Sequence, residues 1–209
     1  MRAVLRTFGE LSITLGSIML LFCAYLLWGT GAYTERHQVL LQQQLAQEAT
    51  SPVRGDGKLD SIELGRALAM IRIPKLGVDY KYAIVEGVDA EHLRQGPGHY
   101  PGTALPGEIG NFVVSGHRTT YSAPFNRIGE LRPGDEVIID ARQARYTYRV
   151  TSSKIVYPTQ LDVIEPVPEQ PGKRARHALL TLSTCHPEYS ARQRLIVYGV
   201  LDRTHERRT

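Results

Sequence analysis

Residues 178–199 read ALLTLSTCHPEYSARQRLIVYG, and the reading of this stretch decides the fold. Two apolar runs, ALLTLST (178–184) and LIVYGVL (195–201), flank a short polar connection. The short connection lets the two runs pair side by side as strands. Successive side chains of a strand point to opposite faces, so Leu180, Leu182 and Thr184 share one face and Thr181, Ser183 and Cys185 the other. The leucine face is the core face. Cys185 therefore stands on the polar face at a strand end, a poor position for a cysteine used as a small hydrophobe. Arg194 opens the second run nine residues later.

Upstream, short apolar runs recur between glycine- and proline-bearing turns from Ala67 onward. They are AMIRI (69–73), YKYAIVEG (80–87), NFVVSG (111–116), EVIID (136–140) and YTYRVTSSKIVY (146–157). IPKLG, ELRPGD and EQPGK supply turn chemistry between them. Only DAEHLRQ (89–95) reads as helix, with Asp89 as its N-cap. Many short strands with little helix predict a mostly β domain, a closed or nearly closed barrel.

The N-terminus is of another kind. No charge occurs from Leu11 through Thr34, and LSITLGSIMLLFCAYLLW (11–28) is apolar throughout. As a helix these residues extend about 27 Å, close to the hydrocarbon thickness of a bilayer. Trp28 and Tyr33 sit where interfacial aromatics belong. The apolar run is longer than that of a cleaved signal peptide and no A-x-A site follows, so an uncleaved anchor is expected. Arg2 and Arg6 precede the span, which puts residues 1–10 in the cytoplasm, the transmembrane helix at 11–30 and the rest outside the cell. Residues 31–66 read as a stalk: HQVLLQQQLAQEAT favours helix, and SPVRGDGK is linker. DGKLDSIE lacks the ligand order of a calcium loop. The folded domain spans 67–202, and 203–209 is a basic tail.

Among 209 residues, 42% are hydrophobic and 22% charged, with a net charge of +4. The cations are scattered, without the clustered basic face that nucleic-acid binding needs. The two cysteines, Cys23 in the span and Cys185 outside it, cannot pair, so no disulfide framework exists. An unpaired thiol in an oxidising compartment calls for a chemical reason. Zinc binding by Cys185, His186, His177 and His117 is disfavoured, because adjacent Cys185 and His186 face opposite ways and no C-x-x-C pair exists. No cofactor or metal is expected.

A thiol becomes a nucleophile with the help of a base or a positive field. VVSGHRTTY places His117 just beyond an apolar strand, at a glycine turn. Arg194 stays protonated, so it serves as a fork of donors for a carbonyl or an oxyanion and not as a base. Cys185, His117 and Arg194 together would form a thiol acyl-transfer site. Taken singly, each could equally be an ordinary packing or surface residue.

TLSTC, the arginine before an apolar strand and the upstream SGH together resemble the sortase pattern. GPGHYPGTALPGEIGNFVVSGHRTTYSAPF and TCHPEYSARQRLIVYG are most similar to class E housekeeping sortases of high-GC Gram-positive bacteria, over residues 67–202. The resemblance implies an eight-stranded sortase barrel and a cysteine transpeptidase. By motif position Cys185 is the nucleophile, His117 the general acid/base, and Arg194 the substrate-orienting, oxyanion-stabilising residue. Arg192 shares a strand face with Arg194 and competes for that role, though the register before the apolar run favours Arg194. Ser115, Ser183 and Ile196 match groove positions. Class E resemblance implies LAxTG over LPxTG signals, with Tyr100 as the residue that meets the alanine position. The implied partners are secreted proteins with a C-terminal sorting signal, a lipid-linked peptidoglycan-precursor amine and the cell membrane. An acidic calcium cluster and a lid segment, features of other classes, are missing from the sequence. A cysteine hydrolase of the same fold and a non-catalytic anchored binding module are the competing expectations.

Overall fold

The computed structural model describes residues 2–25, 29–50 and 63–207. Two helices precede the barrel, α1 (Arg2–Ala24) and α2 (Thr30–Thr50). Within α1, Arg6–Ala24 is the one stretch among the described residues long and apolar enough to cross a membrane, and none of it is buried against protein. It begins five residues before the span expected from residue 11. Trp28 and the linker residues 51–62, DGKLDS among them, lie outside the described residues.

The strands are β1 (Ala67–Arg72), β2 (Lys81–Glu86), β3 (Gly98–His99), β4 (Gly110–Ser115), β5 (Glu136–Asp140), β6 (Ala144–Val156), β7 (Ala178–His186) and β8 (Gln193–Glu206). They close into a barrel in the order β1-β2-β3-β4-β7-β8-β6-β5. The β2–β3 and β4–β7 pairs are parallel, and the rest are antiparallel. Alternation fills the interior: Ile71, Ile84, Phe112, Val114, Ile139, Tyr148, Leu180, Leu182 and Val197 all point into one core. Each such side chain contributes about 1.5–3 kcal/mol on leaving water. The short helix α3 (Ala90–Leu93) is capped as expected, with the Asp89 carboxylate accepting from the amides of Glu91 and His92 at 3.0 Å each.

Two boundaries differ from the sequence reading. β8 runs on to Glu206, so most of the supposed basic tail is paired strand opposite Ala144–Thr147. Ion pairs of Arg203 with Glu136 and Asp202 hold this polar stretch, where no apolar period announces it. Helix α2, expected as part of a stalk, lies against the barrel. The physical cause is the shortness of β3, which leaves the β3-facing edge of Ala83 unpaired by any strand. Gln38 supplies the partner: its Nε2 donates to the Ala83 carbonyl at 3.0 Å and its Oε1 accepts from the Ala83 amide at 2.7 Å. Leu41 packs beside it on Ala67, Ala83 and Val85.

At the β2–β3 junction a histidine and a carboxyl group are buried together, with His99 1% and Glu86 6% exposed. His99 Nδ1 donates to the Glu86 carboxylate at 2.6 Å, and Nε2 faces Thr103 Oγ1 at 2.9 Å and the Ala104 carbonyl at 3.2 Å. The ring also stacks on Phe112. This pair fastens the loop 100–104 to the barrel.

Candidate active site

β7 lies between β4 and β8, and its register with both sorts the expected residues into rungs on one face. Ser115, Ser183 and Ile196 occupy one rung across the three strands. The next rung pairs Cys185 with Arg194. β4 stops at Ser115, but its bonds to β7 continue: the Gly116 amide donates to the Ser183 carbonyl at 3.1 Å and Thr184 Oγ1 donates to the Gly116 carbonyl at 2.8 Å. Carried on by two residues, this parallel register would set His117 opposite Cys185. Leu180, Leu182 and Thr184 are buried on the inner side, and Cys185 is half-buried on the outer one. Cys185 and Arg194 stand at one end of this face, with His117 two residues past the end of β4.

His117 is half-buried, and its Nε2 is buried without a hydrogen-bond partner among the described residues. Burial first, and the positive charge of Arg94 second, hold its imidazole below the ordinary histidine range. A neutral ring able to accept a proton is what a thiol nucleophile needs beside it. Arg194 Nη1 donates to the carbonyls of Ala191 and Gln193 at 2.9 and 3.0 Å, which braces the guanidinium against the loop between β7 and β8. Arg192 is exposed and precedes β8, so the shared-face argument for it does not hold in the structure.

Tyr100 continues the β3–β4 register: its amide donates to the Val113 carbonyl at 2.9 Å. It thus falls on the rung of Val113, Thr181 and Tyr198, on the same outer face. Ser115 and Ser183 are half-buried. Ile196, expected to contact substrate, is 1% exposed and packed with Val156 and Val163. The segment 161–165 is fastened by Asn111, whose Nδ2 donates to the carbonyls of Val163 and Glu165 at 3.1 and 3.0 Å. Thr181 Oγ1 in turn donates to Asn111 Oδ1 at 2.7 Å. A buried asparagine in an apolar strand demands partners, and that demand was a usable sequence signal.

Arg118 was missed. Its Nη1 donates to the Cys185 carbonyl at 3.1 Å and meets His186 Nδ1 at 2.9 Å. Asn126 Nδ2 donates to the Arg118 carbonyl at 2.8 Å and to Glu188 at 2.7 Å. The loop after His117 is therefore tied directly to the strand end that carries the thiol. Nothing in one sequence separates Arg118 from any other surface arginine.

A family model described as the sortase domain matches residues 71–202. The chain belongs to the sortase family, whose members are cysteine transpeptidases. Within the family it is class E-like. It is 35% identical over 206 residues to sortase SrtE1 of Streptomyces coelicolor, an alignment covering 93% of this chain and 56% of that longer protein. Among solved structures, SrtF sortase from Corynebacterium diphtheriae superposes with a TM-score of 0.70 at 32% identity, covering 76% of this chain and 95% of that one. Sortase E1 from Streptomyces coelicolor, solved with a tripeptide in the active site, superposes with a TM-score of 0.63 at 34% identity, covering 68% and 92%.

Proposed function

We propose that this chain cleaves a C-terminal sorting signal of the LAxTG/LPxTG type between threonine and glycine and transfers the protein to a cell-wall amine. The observation that carries this reading is the rung of Cys185 and Arg194, supported by His117 lying two residues beyond the β4–β7 pairing that ends at Ser115 and Ser183. His117 takes the thiol proton, and the Cys185 sulfur attacks the threonine carbonyl carbon. Arg194 holds the carbonyl oxygen as it becomes an oxyanion. The C–N bond to glycine breaks, and the leaving amine takes the proton back from His117, which leaves a thioester on Cys185. An acceptor amine then attacks the thioester, gives a proton to His117 and expels the thiolate, forming a new amide.

The acceptor in this reading is an amine on a lipid-linked peptidoglycan precursor, and the donors are secreted proteins. An anchor at Arg6–Ala24 places the site beside the membrane where such a precursor resides. With Arg2 before the anchor and Arg6 at its first residue, this reading puts the barrel on the outside. The hydrolytic reading is separated by adding a diaminopimelate-type or oligoglycine amine to enzyme and peptide. A ligated product at the expense of free acid is expected, and free acid alone at every amine concentration would make the chain a hydrolase.

Specificity at the second signal position is assigned to Tyr100. Its rung lies four residues along β7 from Cys185, about 13 Å, whereas the alanine of an extended LAxTG lies two residues, about 7 Å, from the threonine. A phenol spans much of the remainder. Alanine, unlike proline, brings an N–H to be satisfied, and the phenol oxygen can accept it. One such neutral bond contributes about 0.5–1.5 kcal/mol. Tyr100→Phe should therefore lower the ratio of kcat/KM for LAxTG over LPxTG peptides by about two- to tenfold. An unchanged ratio removes Tyr100 from this role.

A further inference from the structure

Thr30, Thr34 and Gln38 recur every four residues along α2, and they are 5%, 0% and 5% exposed. A helix that only held the barrel clear of a membrane would leave such polar side chains in water. Here they bond to particular barrel loops. Thr34 Oγ1 donates to the Arg94 carbonyl at 2.7 Å, and Gln38 Nε2 donates to the neighbouring Gln95 carbonyl at 2.9 Å. One turn earlier, the Tyr121 amide points at Thr30 Oγ1 at 3.5 Å, and Ser122 Oγ donates to the Gly31 carbonyl at 3.2 Å.

The two loops held in this way carry the side chains that cover His117. The Tyr121 ring lies against the imidazole with centroids 4.9 Å apart, and the Arg94 guanidinium sits 5.8 Å above the Tyr121 ring. The loop is in an unusual state. Tyr121, Ser122 and Ala123 have φ of 53°, 58° and 43°, three successive non-glycine residues in the left-handed region. That conformation persists only where the surroundings over-determine it. The restraints are visible: Tyr82 donates to the Ser122 carbonyl at 3.3 Å, Tyr80 donates to the Pro124 carbonyl at 2.6 Å, and α2 grips residues 121 and 122.

We propose that the first two turns of α2, the segment next to the membrane span, complete the catalytic centre by clamping Tyr121 and Arg94 over His117, with Tyr121 as the positioning residue for the imidazole. The inference rests on the reading of His117 as the acid/base. It goes beyond that reading in making the membrane-proximal helix part of the site. Ionisable groups on the surrounding elements are Glu35 on α2, Arg94 after α3, Cys185 and His186 on β7, Glu188 in the β7–β8 loop, Arg194 on β8, and Arg118 and Tyr121 on the histidine's own loop. Burial and Arg94 keep the ring neutral to lower pH than an exposed histidine. Taking the cover away raises the histidine toward its ordinary value, so the base form is lost at a higher pH.

The test uses the full chain in detergent, with two readouts: peptide cleavage, and alkylation of Cys185 by iodoacetamide as a function of pH. Tyr121→Phe keeps the ring and should retain the wild-type pH profile. Tyr121→Ala should lower kcat by at least about tenfold with little change in KM, and move the acid limb of both profiles to higher pH. Thr34→Val, which removes the bond to the Arg94 carbonyl at nearly constant volume, should shift the limb the same way by less. It stands in for Tyr121→Ala should that variant fail to fold. Unshifted acid limbs in Tyr121→Ala, or in its stand-in, overturn the clamp. If His117→Ala alkylates with the wild-type profile, the acid/base reading itself fails, which is a distinguishable outcome.

Discussion

Cys185→Ala abolishes both cleavage and ligation of a sorting-signal peptide, to below detection at any enzyme concentration. The reason is stoichiometric: with no sulfur there is no thioester, and neither His117 nor Arg194 supplies another nucleophile at that rung. The same variant keeps its fold. Cys185 sits half-buried at a strand end on the outer face, outside the core that Leu180 and Leu182 help to fill. Loss of one sulfur there changes stability by about 1 kcal/mol or less. Thermal unfolding within about 4 °C of wild type, with no turnover, is the expected pair of results. Measurable product from Cys185→Ala contradicts the assignment of the nucleophile.

The second large effect is on stability and lies at Glu86. Its carboxylate is buried against His99 Nδ1, and the same ring reaches Thr103 and Ala104 on its other side. Removing one partner of a buried hydrogen bond costs about 1–3 kcal/mol, because the other is left unsatisfied. For a chain of this size each kcal/mol shifts Tm by roughly 2–4 °C, so Glu86→Ala should unfold about 2–12 °C below wild type. Glu86→Gln, which keeps an acceptor for the ring, should lose less. The loop 100–104 is fastened by this pair, so Glu86→Ala should also weaken discrimination at the Tyr100 position well below the unfolding transition. A Tm within about 1 °C of wild type would show that the pair holds nothing.

Much of this architecture was legible because strands with one buried face carry a period of two. The face of Cys185 followed from Leu180 and Leu182 alone, and six further strands announced themselves by apolar runs between turns. β3 did not, since two residues, Gly98 and His99, are too few to show any period. That same shortness explains why the sequence shows a helix at α2 but not where it lies against the barrel. The helix looks polar from its sequence, yet Gln38 and Thr34 serve as substitute strand partners and loop ties, a use visible only once Ala83 and Arg94 are in place. The end of β8 was hidden for a related reason, because its last residues are held by pairing with β6 and by ions, not by apolar burial. Of the candidate site, the residues proposed for the chemistry could be read from motifs. The residues that hold them, Arg118 and Tyr121, act through backbone carbonyls and ring stacking, and no pattern in a single sequence marks either one.

The most direct measurement of the central claim is the intact mass of the protein after mixing with an LAxTG peptide in the absence of an amine. An adduct should appear equal to the peptide up to its threonine acyl group, with the glycine-led fragment released. Peptide mapping should place it on Cys185, and added amine should discharge it into a ligated product. An adduct on another residue, or turnover with the signal cleaved and no covalent species on Cys185 under rapid quench, would contradict the account.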